Sequence, residues 1–425
     1  MSTIEDHPQR FSMANELHAR PYSVVSAPGR AAYIAIKPAK DAAGRNRDLD
    51  REHLIALLDR FGSKHPSPGA THYFGQIGKY QLKWESHTEF LTYTVFSDRL
   101  ADKPFDPQLF SVFPPEWLAQ APGVRVSSAL IHIDFAGSED SIVDSSLGWF
   151  VPESLVISHV LDKQFAIAGD FRIDSSGNMR FAVFVQPQAS DRYIGRIVQQ
   201  LCEIETYKTM SMLGLDRAKA LSGKMGDIDK TLTSLLSDMV GPINKPDDVL
   251  QSLLTVSAEL ENIVAQSSFR FGATGAYESL VHERIDALRE ERFKEQQTFN
   301  EFMMRRYDPA MRTVKSTNER LARMSVRAQR ASDLLRTRVD VERSAQNQEL
   351  LTSMDKRAAL QLRLQRTVEG LSVVAISYYA VNLVMYIAGP LESFGVSKAV
   401  IGAIATPIVL LGVWAMLKRI QRHLD

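Results

Sequence analysis

The sequence predicts an α+β protein: an N-terminal mixed α/β cytoplasmic domain, a long helical stalk and a C-terminal two-helix transmembrane hairpin. Three observations favour this class. Short runs of alternating polarity, typical of strands, occupy the first part of the chain. A 3.6-residue apolar period, typical of helices, replaces them near Asp191. Two uncharged apolar runs lie close to the C-terminus.

These patterns divide the chain into five predicted segments. They are an α+β cytoplasmic domain (1–190), a helical domain (191–275), a coiled-coil-like helical stalk (276–370), a transmembrane hairpin (371–417) and a basic cytoplasmic tail (418–425).

The composition excludes several classes of protein. A length of 425 residues is enough for about three domains of roughly 150 residues. The 50 Lys and Arg residues equal the 50 Asp and Glu residues in number, which argues against a wholly basic nucleic-acid binder. The single cysteine, Cys202, excludes an intramolecular disulfide framework and a cysteine-based zinc site. The mean hydropathy of −0.16 is typical of a soluble protein, but it averages over the two apolar runs.

The N-terminal domain is predicted to be rich in strands. Five runs have strand character: 31–36, 80–96, 129–135, 164–173 and 179–185. The last two flank a five-residue loop, 174–178, and are predicted to form a hairpin. Between the strands, residues 50–61 carry Leu54, Leu57 and Leu58 at helical spacing, and Gly62 is a stop signal.

Helices dominate from Asp191 onwards. Pro246 is predicted to start a new helix after a Gly-Pro break at 241–242, and a further helix is predicted over 277–307. Asp308 and Pro309 fit an N-cap followed by proline at the first helical position. Glycine and proline are then absent until Gly370, so this helix is predicted to continue into the first apolar run.

The stalk helix carries an imperfect heptad pattern. The apolar positions are Val314, Thr317, Leu321, Met324, Ala328, Ala331 and Leu335, and after a break they resume at Leu351, Met354, Ala358 and Leu362. An exposed helix of about 60 residues is not stable alone and needs partners. The pattern favours self-association, and the alternative is packing against the predicted helix at 277–307.

The two apolar runs predict membrane spans. Residues 371–388 and 399–417 are uncharged and long enough to cross about 30 Å of hydrocarbon as helices. Basic residues flank the outer ends of this hairpin at Arg357, Arg363, Arg366, Lys418, Arg419 and Arg422. Their distribution predicts that both chain ends are cytoplasmic, and the acidic N-terminal residues show no export signal. The alternative is a buried helical hairpin in a soluble domain.

Several motifs resemble a known family. The stretch 15–21, which contains Asn15, Glu16, His18 and Arg20, is followed by Ala-Pro-Gly-Arg-Ala at 27–31. Together with Trp-Glu-Ser-His-Thr-Glu-Phe at 84–90 and Glu-Ile-Glu-Thr-Tyr at 203–207, they resemble an uncharacterised family of bacterial membrane-anchored proteins with a domain of unknown function. The resemblance covers nearly the whole chain and implies a location in the bacterial inner membrane. That family has no established activity, so it implies no catalytic residues.

The architecture also resembles that of the CorA-type magnesium transporters. They too have a cytoplasmic α/β domain, a long helix entering the first span and a basic C-terminal tail. Their Gly-Met-Asn motif follows the first span, whereas this chain has Tyr-Ile-Ala-Gly-Pro at 386–390. The resemblance therefore does not extend to magnesium selectivity.

The first predicted span carries a polar stripe. Tyr378, Asn382 and Tyr386 follow one another at i+4 spacing and therefore share one helix face. Polar groups within a bilayer usually face other helices or a watery cavity. The stripe is interpreted either as a pore lining in an oligomer or as a site of interhelical hydrogen bonding with tyrosine anchors.

A second candidate site lies in the predicted strand at 80–96. Alternation places Glu85, His87 and Glu89 on one face of this strand, where two carboxylates and an imidazole could bind a divalent cation. The alternative is an ordinary solvated strand face.

No catalytic motif stands out in the sequence. It contains no P-loop, nucleophile elbow or His-Glu-x-x-His helix. We therefore expect a non-enzymatic, cytoplasm-facing oligomeric scaffold or regulatory binding module without a cofactor, or alternatively a CorA-like ion channel or transporter. The expected partners are the lipid bilayer, further copies of the chain and a divalent cation, but not nucleic acid.

Overall fold

A computed structural model describes residues 4–11, 13, 22–39, 44–239, 246–390 and 397–421. The strands are β1 (Gly29–Lys37), β2 (His72–Ile77), β3 (Tyr80–Ser86), β4 (Leu91–Ser97), β5 (Val124–Phe135), β6 (Val156–Val160), β7 (Phe165–Gly169), β8 (Met179–Val185) and β9 (Glu291–Arg292). The α-helices are α1 (Arg47–Arg60), α2 (Pro115–Leu118), α3 (Glu139–Trp149), α4 (Asp191–Asp238), α5 (Pro246–Leu288), α6 (Phe299–Arg306), α7 (Asp308–Ile387) and α8 (Lys398–Gln421). Short 3₁₀ helices lie at Pro107–Val112 and Pro152–Ser154.

The chain divides into two compact units. The first comprises residues 1–242 and 251–331, and the second comprises 243–250 and 332–425. The first unit contains the whole β-sheet, and the second contains the two apolar helical segments near the C-terminus. The predicted α+β class with a C-terminal helical hairpin is therefore confirmed.

A nine-stranded sheet organises the first unit, in the order β2-β3-β4-β1-β5-β8-β7-β6-β9 among the described residues. The only parallel pair among its neighbouring strands is β5 with β8. The predicted strand over 80–96 is in fact two strands, β3 and β4, which pair antiparallel from Gln81 with Phe96 to Ser86 with Leu91. Residues 87–90 form the turn between them, because the chain reverses direction there.

Residue alternation gives the β1–β4 half of the sheet two different faces. On one face, Ile34, Trp84 and Tyr93 join a core that includes Leu54 and Leu57 of α1. Each of these side chains is at least nine-tenths buried, and full burial of a leucine contributes roughly 1.5–3 kcal/mol. The opposite face carries the intervening residues of the same strands and is covered by α4.

Helix α1 begins slightly earlier than predicted and ends where expected. Asn46 caps it by accepting a hydrogen bond from the Asp48 amide at 2.9 Å. Gly62 follows its C-terminus with a φ of +61°, a conformation that glycine adopts without steric cost. His53 anchors the helix in the core, because its ring nitrogens lie 2.8 Å from the Tyr93 hydroxyl and 3.0 Å from the Trp117 carbonyl oxygen.

The predicted hairpin at 164–185 is confirmed, with a shorter first strand. Strands β7 and β8 pair antiparallel from Phe165 with Val185 to Gly169 with Phe181. The loop closes through Asp174, whose side chain accepts hydrogen bonds from the amides of Ser176 and Asn178 at 2.9 and 3.0 Å.

Helix α4 covers the sheet and then packs against α5. Gly195 permits a close approach, since a Cβ there would lie 1.8 Å from the Ser23 carbonyl oxygen. Further along, a Cβ at Gly214 would lie 2.2 Å from the Thr274 hydroxyl of α5. The two glycines let α4 approach the backbone of Ser23 and the side chain of Thr274 closely.

The predicted helix over 277–307 is wrong. Helix α5 starts at Pro246, as predicted, but it ends at Leu288, so the predicted domain boundary at 275/276 falls inside it. The two-residue strand β9 then pairs with β6. Helix α6 restarts the helical path with a capping box between Thr298 and Glu301.

Helix α7 starts at Asp308 and continues without interruption to Ile387, as predicted. In the first unit its apolar positions are buried within the chain itself: Val314, Leu321, Met324, Ala328 and Ala331. Arg320 and Arg327 pair there with Asp229 of α4. The apolar positions of the first heptad run are therefore covered by intramolecular packing. The sequence had favoured self-association over this alternative.

In the second unit the apolar end of α7 packs against α8. Ser377 of α7 and Ala405 of α8 are buried, and Met385 lies over Gly402. Both helical segments are long and apolar enough to cross a membrane. Helix α8 contains Pro407, and the neighbouring Thr406 hydroxyl donates to the Gly402 carbonyl oxygen at 2.7 Å.

Candidate functional site

Two of the motifs noted in the sequence, 84–90 and 203–207, meet in the first unit. The β3–β4 turn lies against the middle of α4, and a small cavity separates them. This inner cavity is lined from the sheet by Tyr33, Lys83, Glu85, His87, Phe90, Thr92, Thr94 and Phe96, and from α4 by Gln199, Cys202, Glu203, Thr206 and Tyr207, among others. The volume that the centre of a water molecule can occupy in this cavity is about 20 Å³, so the cavity has room for about one water.

Part of the cavity wall is polar because the β-strand period places alternate residues beneath α4. Lys83 and Glu85 follow this period on β3, and Thr92 and Thr94 follow it on β4. The hydroxyl of Tyr33 on β1 hydrogen-bonds to the Thr206 hydroxyl at 2.7 Å. Burial raises the pKa of Tyr33 well above its usual value, so this phenol is neutral at physiological pH.

A chain of charged and polar groups crosses the interface between the sheet and the helices. Lys83 Nζ donates to Gln199 Oε1 at 2.6 Å and lies 3.1 Å from Glu85 Oε2. Gln199 Nε2 donates to Glu203 Oε1 at 2.6 Å, and Arg284 of α5 donates to the other oxygen of Glu203. Burial opposes the charged form of Arg284, but Glu203 outweighs this effect and the pKa is raised. The buried charges of Lys83 and Glu85 and the partly buried charges of Glu203 and Arg284 are therefore all paired, as charges removed from water require.

Arg45 holds the β3–β4 turn from behind. Its side chain is 4% exposed and pairs with Asp50, which is 2% exposed. The guanidinium also donates to the carbonyl oxygens of Thr88 at 3.3 Å, Phe90 at 2.9 Å and His87. One buried arginine thus fixes the turn by charge-assisted hydrogen bonds.

A second buried ion pair joins the turn to α5. Arg270 donates to Glu89, whose side chain is almost fully buried. Tyr277 lies beside this pair, and burial followed by the negative charge of Glu89 raises its pKa. The turn is therefore attached to two separate elements by two separate ion pairs.

An open cleft lies on the outer side of the same turn. This outer cleft is lined by Arg47, Thr71, Ser86, His87, Thr88, Phe90, Tyr207, Tyr277 and Leu280. The volume that the centres of water molecules can occupy in this cleft is about 240 Å³, so the cleft can hold a small ligand.

The residues proposed as metal ligands do not share a strand face. Glu85 is the penultimate residue of β3, whereas His87 and Glu89 belong to the turn. Glu85 lies beside Lys83, Glu89 pairs with Arg270, and the His87 ring stacks on Phe90. The alternative of a solvated face is also wrong, because Glu85 and Glu89 are buried. Among the described residues, no three His, Cys, Asp or Glu side chains are grouped to hold a metal ion.

The polar stripe of the first span is exposed in the single chain. Tyr378 and Tyr386 are 66% and 85% exposed, and Asn382 is also exposed. Ser377 and Met385, not the stripe, take part in the packing with α8. The stripe therefore faces away from the contact between α7 and α8.

Other predicted positions have different outcomes. Asn15, Glu16, His18 and Arg20 lie outside the described residues. The structurally central Arg45, Arg270 and Arg284 were not identified from the sequence. Their spacing carries no motif, since each pairs with a carboxylate brought near only by folding.

Comparison with known proteins gives a family but no activity. No curated protein matches the chain. A family model described as "Protein of unknown function (DUF3422)" matches residues 5–424. The chain therefore belongs to this family of unknown function.

Proposed function

We propose that the protein is a membrane-anchored, cytoplasm-facing oligomeric scaffold or regulatory binding module of the bacterial inner membrane. Two helices long and apolar enough to span a bilayer support the anchor. Lys418 and Arg419 at the end of α8, and Arg363 and Arg366 before the apolar part of α7, support cytoplasmic chain ends. Lys398 lies at the opposite end of the hairpin.

The exposed part of α7 carries the proposal of an oligomer. Residues 340–372 are exposed throughout, although many of them are large and apolar. They include Val341, Leu350, Leu351, Met354, Leu360, Leu362, Leu364, Val368 and Leu371, each at least 57% exposed. A lone helix without tertiary packing is marginal in water, so this segment needs a partner helix.

A second copy of the chain is the partner that the pattern favours. Leu351, Met354 and Ala358 keep a 3-4 spacing, which places them on one seam of a parallel coiled coil. Burying a leucine or methionine at such a seam contributes roughly 1.5–3 kcal/mol. Parallel pairing also agrees with anchoring of every copy in the same membrane.

Cysteine crosslinking in native membranes tests this proposal. Because Cys202 is the only cysteine, a Cys202→Ala chain can carry single cysteines at chosen positions. Leu351→Cys and Met354→Cys lie on the predicted seam, whereas Glu349→Cys and Lys356→Cys lie on the opposite face. We expect oxidation to produce covalent dimers at the seam positions several times faster than at the control positions.

Two results would refute the oligomer. One is equal crosslinking at the seam and control positions. The other is a monomeric mass in detergent at every protein concentration tested. Membrane orientation is checked separately, because Lys398→Cys should react with an impermeant maleimide only from the outer side of the membrane.

The second candidate function is a CorA-like channel or transporter. Its support is the exposed stripe of Tyr378, Asn382 and Tyr386, which an oligomer could enclose. Ion flux into liposomes tests it. Flux that Asn382→Leu abolishes and Asn382→Ala alters would support conduction along the stripe. A complete absence of flux in oligomeric protein would exclude the channel.

A further inference from the structure

The outer cleft has an unusual chemistry for the surface of a neutral protein. Its lining residues include a cation, Arg47, an imidazole, His87, and the hydroxyls of Thr71 and Thr88. The hydroxyl of Ser86, which also lines the cleft, already donates to Asp50 at 3.1 Å. None of the lining residues in the part of the chain that the structure describes is an aspartate or glutamate. A cleft with donors and a positive charge, and without carboxylates, favours an anionic group.

The turn that borders the cleft adds backbone donors. The carbonyl groups of His87 and Thr88 point at Arg45, which lies behind the turn and outside the cleft lining. In a planar trans peptide the C=O and N–H groups point in opposite directions. The amides of Thr88 and Glu89 therefore point away from Arg45. Successive amides that point the same way form a concavity that binds anions.

Positive charge also reaches the turn from two arginines. Burial first, and then the nearby positive charge of Arg47, lower the pKa of Arg45 to about 10. The two guanidinium groups are thus close enough to influence one another. Arg45 is neutralised by Asp50, whereas Arg47 is exposed at the cleft.

The floor of the cleft consists of aromatic side chains that are largely buried, since Phe90, Tyr207 and Tyr277 are 1%, 7% and 9% exposed. The rings of Tyr207 and Tyr277 are stacked, with centroids 5.7 Å apart and an angle of 23° between their planes. The Phe90 ring lies 6.3 Å from both of them. Leu280 adds a further apolar contact. A planar or apolar body attached to the anion would pack against this floor.

We propose that the outer cleft binds a small phosphate ester, with its oxyanion at Arg47 and the amides of the β3–β4 turn and its planar body on the aromatic floor. This deepens the binding-module part of the proposed function by naming a site and a ligand class. Binding would be transmitted to α4 and α5, because Tyr207 and Tyr277 belong to these helices.

Calorimetric titration of the full-length protein in detergent tests the site. The probes are phenyl phosphate, inorganic phosphate and phenol. We expect phenyl phosphate to bind at least tenfold more tightly than either fragment, because only it supplies both the anion and the ring. Binding no tighter than that of inorganic phosphate would overturn the role of the aromatic floor. A lack of binding by all three probes would overturn the site.

Matched variants locate the binding. Arg47→Gln removes the cation at the cleft, and Arg60→Gln removes an arginine at the other end of the same helix. Thr88→Glu places a carboxylate beside the turn amides, and Thr88→Gln is its neutral counterpart. We expect at least a tenfold loss of affinity for Arg47→Gln and Thr88→Glu, and less than a threefold change for the two controls. Equal losses within either pair would overturn the proposal.

Failure of this inference is distinguishable from failure of the oligomer. Crosslinking through Leu351→Cys is measured on the same variants and does not depend on the cleft. Seam crosslinking without phenyl phosphate binding would overturn the ligand site alone. Binding without seam crosslinking would support the ligand site and refute the oligomer alone.

Discussion

Replacing Arg45 with methionine should increase the population of the open state of the first unit more than replacing any exposed charged residue does. Methionine keeps much of the length of the side chain but removes its charge and all of its donors. The Asp50 carboxylate would remain buried without its partner, and three carbonyl groups of the β3–β4 turn would lose a donor. Both consequences penalise the folded state alone.

The magnitude follows from burial. Arg45 and Asp50 are 4% and 2% exposed, and removing one partner of a buried pair costs about 3–5 kcal/mol. An exposed pair is worth about 0.2–1 kcal/mol. Arg51 and Asp48, whose side chains are 26% and 65% exposed, form such a pair on the same helix. Arg51→Met is therefore the matched control.

The reactivity of Cys202 supplies the assay. This thiol lines the inner cavity and is 3% exposed, so a maleimide reaches it only when α4 separates from the sheet. When reclosing is faster than labelling, the labelling rate follows the equilibrium population of the open state. Since about 1.4 kcal/mol corresponds to a tenfold change, Arg45→Met should accelerate labelling by about 100-fold to about 4,000-fold.

Two comparisons can contradict this reasoning. Arg51→Met should accelerate labelling by no more than about fivefold. In the double variant Arg45→Met/Asp50→Leu no unpaired charge remains, so labelling should be slower than in Arg45→Met alone. If Arg45→Met labels no faster than Arg51→Met, the buried pair does not stabilise the turn.

Two further predictions concern pH and backbone contact. Burial lowers the pKa of His53 in the folded protein, so the unfolded chain binds more protons than the folded chain below about pH 6.5. The free energy of unfolding therefore decreases as the pH is lowered through that range, by up to about 1.4 kcal/mol per pH unit. The urea midpoint should therefore fall from pH 7.5 to 5.5, and less steeply in His53→Gln; an unchanged slope would contradict this. Gly195→Ala would place a Cβ 1.8 Å from the Ser23 carbonyl oxygen and should cost about 1–3 kcal/mol, measured as faster labelling of Cys202. Gly148→Ala, which meets nothing within 4 Å, should not accelerate it.

Local chemistry made parts of this fold predictable. Asp308 followed by proline defines the start of α7, and Pro246 with two following aspartates defines the start of α5. The apolar runs of α7 and α8 are recognisable because crossing a bilayer requires an uninterrupted apolar length. In each case the signal lies within a few consecutive residues or one continuous run.

The cluster of polar residues around the β3–β4 turn could not be predicted from such local signals. Lys83 and Glu85 line the same cavity beneath α4, but a period of two residues cannot show whether a strand face meets water or a helix. The same two-residue period was extended through residues 87–90, which in fact form a turn, and this led to the incorrect prediction of a metal site. Arg45, Arg270 and Arg284 reach their carboxylates only after long-range packing.

The sequence by itself therefore determined the class, the start of the long helix, the apolar hairpin and the family. Tertiary structure decided which polar residues are buried together and which heptads are already covered. Val314 and Leu321 pack within the chain, whereas Leu351 and Met354 are exposed, although all four follow the same spacing. The physical reason is that periodicity specifies the face of an element, while the element that covers this face comes from a distant part of the chain.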